Sequence, residues 1–236
     1  MKKNLFLLLV AICAITFNSC SSDNDDALSK RISTIKGNGL TLDFTYNTQG
    51  KVIKIKETTT TESIESLITY DNNKVIFSIG NDKIECFLTN GRTTTMSSSL
   101  DKTEYTFEYD KDGYMTKSTD VDLEQPNMPS IITYTWQNGN LVSYSDDGVA
   151  TITYGSQLNN LNLDILPLTI DMELGSVVSV IGIGSKRSIN LPEKITSGTD
   201  EIRYTYVKDK DGYIIGINIT SNNTNNVPIF YEIIYK

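Results

Sequence analysis

The hexapeptide Tyr109-Asp110-Lys111-Asp112-Gly113-Tyr114 returns almost letter for letter as Lys208-Asp209-Lys210-Asp211-Gly212-Tyr213. Asp at the first turn position accepts hydrogen bonds from the backbone ahead of it, and Gly at the fourth takes the positive φ that closes a type I turn with a G1 bulge. Each copy therefore sends two strands away antiparallel. Looser versions stand at 47–50, 71–74, 89–92, 137–140 and 145–148. A chain punctuated this way runs as sequential hairpins.

The stretches between the turns read as strands. Leu40, Leu42, Phe44 and Tyr46 alternate with Thr41, Asp43 and Thr45, and Tyr105, Phe107 and Tyr109 share one face. A first strand is expected over 28–35 with a turn at 36–39, and Asn72-Asn73 is expected to turn with both residues left-handed. Ile84, Cys86 and Leu88 share a face, which makes Cys86 a small core hydrophobe. From 155 to 198 the rhythm stops, Asn190-Leu191-Pro192 punctuates the return, and strands resume at 201–207, 213–220 and 229–235. The expectation is all-β: one domain over 28–236, an antiparallel up-and-down meander of about fifteen strands curled into a barrel-like sheet, with the insertion 155–198 packed on it. A plain two-residue loop and a G1 bulge differ by one residue, and that slip exchanges the faces, so which aromatics are buried stays open.

Residues 1–19 read as a secretory signal, with Lys2 and Lys3 before an apolar run too short to span a bilayer. The run ends in Phe17-Asn18-Ser19-Cys20, a small residue before cysteine as in a bacterial lipobox, so Cys20 is the expected acylated first residue of the mature chain. After it, Ser21, Ser22, Asp23, Asn24, Asp25 and Asp26 have nothing to bury, making 20–27 a flexible acidic tether. That run resembles the export signal behind the lipidated cysteine in surface lipoproteins of the Bacteroidetes. The resemblance implies outward display on the outer membrane; a periplasm-facing lipoprotein with a solvated linker is the alternative.

The 236 residues carry 21 basic and 29 acidic side chains, and no histidine. The acidic balance and the lack of a basic stripe argue against nucleic acid. Without histidine the commonest general base, nucleophile activator and metal ligand are missing, and no enzymatic reaction is expected. No metal or other cofactor is expected either: Asp110-x-Asp112-Gly113 echoes a calcium loop but lacks its further oxygen ligands and its bidentate twelfth residue. A membrane-spanning barrel would need lipid-facing apolar strands of roughly 9 to 11 residues. Most strands here are shorter and carry Lys, Glu or Asp on both faces.

The Tyr-x-Tyr, turn, Gly-Tyr hairpins, the Asn-Leu-rich insertion with Gly184-Ser185-Lys186-Arg187-Ser188-Ile189-Asn190-Leu191-Pro192, and the run from Tyr204-Thr205-Tyr206 to Asp211-Gly212-Tyr213 carry a family resemblance. The chain resembles Bacteroidetes lipoproteins grouped as a domain of unknown function with a porin-like fold, over roughly residues 40 to 236. The resemblance implies a barrel-like antiparallel sheet on a surface lipoprotein, and brings no catalytic residue with it.

Tyrosine, with 13 copies, and the single Trp136 are the candidate ligand-stacking residues. Tyr134, Trp136 and Tyr144 share one hairpin and could stack on sugar faces, against the alternative that they pack across strands. Three functions follow: a surface-displayed binding module for a glycan or protein, an assembly lipoprotein docking by a sheet edge to an outer-membrane partner, and a carboxylate-based hydrolase.

Overall fold

The computed structural model describes residues 30–160, 166, 183–223 and 228–236. The signal, Cys20 and the acidic run Ser21 to Asp26 lie outside them, as does the interior of the insertion. The described residues form sixteen strands: β1 (Ile32–Gly37), β2 (Leu40–Tyr46), β3 (Val52–Thr58), β4 (Ser63–Asp71), β5 (Lys74–Ile79), β6 (Asp82–Thr89), β7 (Arg92–Ser98), β8 (Thr103–Tyr109), β9 (Met115–Asp122), β10 (Ser130–Gln137), β11 (Asn140–Ser145), β12 (Val149–Leu158), β13 (Asn190–Ser197), β14 (Asp200–Lys208), β15 (Ile214–Ser221) and β16 (Ile229–Tyr235). Each pairs antiparallel with its neighbours in sequence, and β1 pairs with β16, so the meander closes into a barrel without a free edge. Reciprocal bonds between Arg31 and Lys236, Arg31 N–H to Lys236 O at 3.0 Å and Lys236 N–H to Arg31 O at 2.8 Å, extend that closing ladder beyond the strands.

The repeated turn is built as the sequence predicts. Asp110 Oδ1 accepts the N–H groups of Asp112 and Tyr114, both at 2.9 Å, and Gly113 lies at φ 88°. Asp209 and Gly212 repeat every element of this, and Asn47 with Gly50 does so with an amide oxygen in place of the carboxylate. Asn38-Gly39, Asn90-Gly91 and Asn138-Gly139 have positive φ at both central residues, as type I′ hairpins require. Asn72-Asn73 departs from expectation: neither takes positive φ, and Asp71 Oδ1 instead accepts the Asn72 N–H at 2.7 Å.

Two boundaries also move. The first strand is β1, and its turn is the pair Asn38-Gly39 rather than 36–39. The break in rhythm is narrower than 155–198, because β12 runs to Leu158 and β13 begins at Asn190; β13 is the strand by which sixteen exceeds the expected count. Pro192 reads as punctuation, but it sits where the β12–β13 ladder shifts register, so its missing N–H leaves no ladder bond unmade.

Alternation sorts the side chains. Ile35, Leu42, Ile55, Ile84, Cys86, Met96, Ile217 and Tyr231 point inward into one apolar cluster, with Tyr105 and Phe107 stacked at 6.4 Å between ring centroids. A wall of this many strands encloses more space than its own side chains fill. Leu166 and Ile183, from the stretch between β12 and β13, join the cluster and supply part of the filling. Outside, charges pair across neighbouring strands, Lys54 with Glu65 at 3.2 Å, Lys117 with Glu108 at 3.0 Å and Lys194 with Glu201 at 3.2 Å, while Arg203 meets Glu201 at 2.6 Å within β14. Charge is thus concentrated on the outer face without being confined to it: Glu57, on the inner face, is the only charged side chain fully buried among the described residues, and Asp120 stands opposite the inward Tyr105.

Candidate functional site

Odd strands begin, and even strands end, at the same end of the barrel as both chain ends. We call this the terminal rim. Phe44-Thr45-Tyr46, Ile68-Thr69-Tyr70, Phe107-Glu108-Tyr109, Ile152-Thr153-Tyr154, Tyr204-Thr205-Tyr206 and Ile233-Ile234-Tyr235 lie toward the terminal-rim ends of their strands in one pattern. A period of two turns each last ring to the inner side of the wall, and its hydroxyl donates to a carbonyl near the start of the preceding strand. The acceptors are Ile32 O (2.6 Å, Tyr46), Val52 O (2.9 Å, Tyr70), Thr93 O (2.7 Å, Tyr109), Leu141 O (2.8 Å, Tyr154), Pro192 O (2.6 Å, Tyr206) and Ile214 O (2.7 Å, Tyr235). In β10 Trp136 does the same through its indole N–H to Met115 O at 2.8 Å. Among the described even-numbered strands, β6 alone lacks the clamp, ending in Leu88-Thr89. Burial raises the hydroxyl pKa of Tyr109, Tyr206 and Tyr235, so each stays a donor.

Residues 183–190 lie across part of this rim as a strap. Ile183 O accepts from Thr93 N–H at 2.6 Å, Ser185 Oγ from Met115 N–H at 2.9 Å and Ser188 Oγ from Leu141 N–H at 3.1 Å. On β7, β9 and β11 the same residue therefore has its carbonyl held by an aromatic clamp and its N–H by the strap. Ser188 Oγ also meets the Tyr154 hydroxyl at 2.8 Å.

The hairpin of Tyr134, Trp136 and Tyr144 belongs to this wall. Tyr134 and Tyr144 pair directly, and all three are half-buried against the core. The Tyr134 hydroxyl meets Ser118 Oγ at 3.0 Å, and the Trp136 ring lies 4.6 Å from that of Tyr114. The most open aromatic platform stands elsewhere. On the outside of β14, β15 and β16, a groove of 540 Å³ is lined by Val207, Ile215, Phe230, Glu232 and Ile234, with Lys30 and Asp209 at its terminal-rim end. Phe230 is 49% exposed and lies on Gly216, where a Cβ would come within 2.7 Å of the ring. Gly216 thus leaves the space that the Phe230 ring occupies, while about half of the ring's surface stays exposed. The sequence signal was a glycine inside an Ile-rich strand, but its cross-strand partner depends on register.

Lys30 joins the groove to the turns. Its Nζ lies 3.0 Å from Asp209 Oδ2, 3.1 Å from Asp211 Oδ2 and 4.4 Å from the Tyr213 ring centroid. The ammonium, followed by the N–H groups of Tyr213 and Asp211, holds the Asp209 carboxyl below the usual carboxylate range. The carboxylates of this calcium-like loop thus face a lysine. Cys86 is fully buried, and burial pushes its thiol up to about 12, away from the thiolate that chemistry would need. Glu57 is 1% exposed, neither carboxylate oxygen has a hydrogen-bond partner, and burial, with a lesser push from Glu62, raises it to about 7.

No family model matches the chain, and no curated protein does. Solved structures do. A porin-like protein from Bacteroides uniformis ATCC 8492 superposes with a TM-score of 0.66 at 16% identity, over 87% of this chain and 98% of that one. A porin-like protein from Bacteroides vulgatus ATCC 8482 gives 0.63 at 12% identity, over the same shares. In fold, this chain is similar to the porin-like barrels of Bacteroides.

Proposed function

We propose that the chain is a surface lipoprotein: a non-catalytic binding barrel that stands in water, held to the outer membrane by acylation at Cys20 and displayed outward by the acidic run behind it. The sense of the wall supports this reading. A barrel spanning lipid turns apolar side chains outward; this one turns Ile, Leu, Val and Phe inward and sets Lys–Glu pairs across its outer strands. Placing such lysines at a bilayer midplane costs about 2 to 4 kcal/mol each. Attachment therefore falls to the anchor.

The ligand that best suits the described surface is a glycan in the β14–β16 groove. Phe230 offers a flat apolar face, and Glu232, Asp209 and Lys30 offer acceptors and donors for hydroxyls around it. The absence of histidine and the inert thiol of Cys86 favour binding over turnover. Edge docking to a partner loses its basis in a closed ladder. Metabolic palmitate labelling tests the anchor: wild type takes the label, Cys20→Ala does not, and a mutant that stays labelled refutes acylation there. A glycan array with the chain from Leu28 onward tests the groove. Retention that Phe230→Ala abolishes is the expected result, and retention indifferent to that change moves the ligand elsewhere.

A further inference from the structure

Among the described residues, the two rims carry opposite charge. The turns of the terminal rim and its chain ends present Arg31, Lys51, Lys111, Lys186, Lys210 and Lys236. Its turn acids are largely engaged: Asp209 and Asp211 face Lys30, and Asp110 and Asp209 each give one oxygen to two backbone N–H groups. At the opposite rim the described turns present Glu62, Asp101, Glu124, Asp146 and Asp147 against Lys102 alone, which itself pairs with Glu124. A chain of net charge −8 has thus gathered cations at one end.

Three of those lysines are held over the rim's tyrosines. Lys236 lies 4.4 Å from the Tyr46 centroid, Lys51 lies 4.9 Å from Tyr70, and Lys186 lies 5.3 Å from Tyr114. Tyrosine with lysine above it suits a water–headgroup boundary, where an amphipathic ring and a cation meet phosphate. The same rim is where the chain leaves toward its N-terminus, and nine residues separate Cys20 from Lys30, a reach of at most roughly 35 Å.

We propose that the terminal rim docks on a membrane surface bearing anionic phosphate headgroups, which stands the barrel with its acidic rim away from the bilayer. The orientation rests on the lipid anchor proposed above; the affinity of the rim for headgroups does not. The tether limits how far the rim can stray from the bilayer, and the rim's cations supply the attraction over the last stretch of roughly 8 Å in which it acts at physiological salt.

The test uses the unacylated chain from Leu28 onward, which contains every described strand and the whole closing ladder, so that failure of the anchor reading leaves it untouched. It should co-sediment with vesicles of phosphatidylglycerol, not with phosphatidylcholine, and be released as salt rises. Lys111→Gln, Lys186→Gln, Lys210→Gln and Lys236→Gln together, all exposed positions, should weaken partitioning by roughly fivefold for each charge removed. An unchanged melting temperature keeps misfolding out of that result. Lys36→Gln with Lys83→Gln, toward the acidic rim, should leave partitioning unchanged. Equal binding to both vesicle types, no binding to either, an equal loss per charge in the Lys36/Lys83 variant, or retention on a sulfated glycan with vesicles ignored would each overturn the proposal.

Discussion

Glu57 shows how one side chain sets a pH dependence for the whole barrel. It faces the core from β3, between Leu42 and Ile64 on the neighbouring strands, with no partner for either oxygen. Below about 4.5 the carboxyl is protonated whether the chain is folded or not, and it costs nothing. As pH rises toward the raised folded value of about 7, the unfolded chain ionises first and folding stability falls. Above that value the full cost remains, on the order of 3 kcal/mol. Glu57→Gln should therefore match wild type in thermal melts at pH 4 and exceed it at pH 8; parallel pH profiles would show that the carboxyl is not desolvated. The glycines of the repeated turn act through their backbone conformation, and Gly113 also by leaving room for the Arg92 guanidinium, where Gly212 has open space. Gly113 and Gly212 lie at φ 88° and 84°, where a β-branched residue is strained by roughly 1 to 3 kcal/mol. Gly113→Val and Gly212→Val should each lower the melting temperature by several degrees, with chelator making no difference to wild type or variant. A melt unmoved by both changes would mean that these turns do not hold the register.

At the scale of the element, the unit is a hairpin that closes with an inward aromatic bonded to its own first strand. Tyr206→Phe should leave the Pro192 carbonyl unpaired and cost about 1 kcal/mol. Tyr109→Phe should add to it, since the two clamps share no partner. Summed losses in urea denaturation check this, and a silent double variant would reduce the hydroxyls to packing. The turns were legible in the sequence because their chemistry is local: an Asx side chain and a glycine three positions along contain the whole motif. The faces were not legible, because ladder shifts such as those at Thr45/Tyr46 and Glu108/Tyr109 decide them. For the same reason Tyr134, Trp136 and Tyr144 could be singled out as aromatic but not sorted to the inner wall, while Phe230 on Gly216 went unseen. The basic rim was equally hidden, since its lysines come from turns scattered along the chain and no basic stripe exists in one dimension.

For the whole molecule, closure matters most. The alternating pattern announced a sheet that must deal with its edges, but whether the ends meet is a property of shear and twist summed over every strand, which no local signal carries. β13 was lost to Pro192 because a proline that ends a strand and a proline at a bulge look alike in sequence. Deleting residues 228–236 removes β16 and bares β1 and β15. Two exposed edges invite pairing between molecules, so the truncated chain should leave the monomer peak in size-exclusion chromatography and gain thioflavin fluorescence. A stable truncated monomer would show that the closing ladder is dispensable.

The place where the chain enters the barrel also decides how the protein bears tension. Lys30 is bound to Asp209 and Asp211, Arg31 exchanges hydrogen bonds with Lys236, and β1 then runs lengthwise between β2 and β16. A pull on the tether from beyond the terminal rim is directed along β1, so it shears two ladders at once instead of opening one bond after another. Slippage by a single residue would also turn Ile32 and Ile35 out of the core. Held by the anchor proposed at Cys20, the domain would thus be stiffest to a pull along β1, and softer to a force that peels β1 sideways.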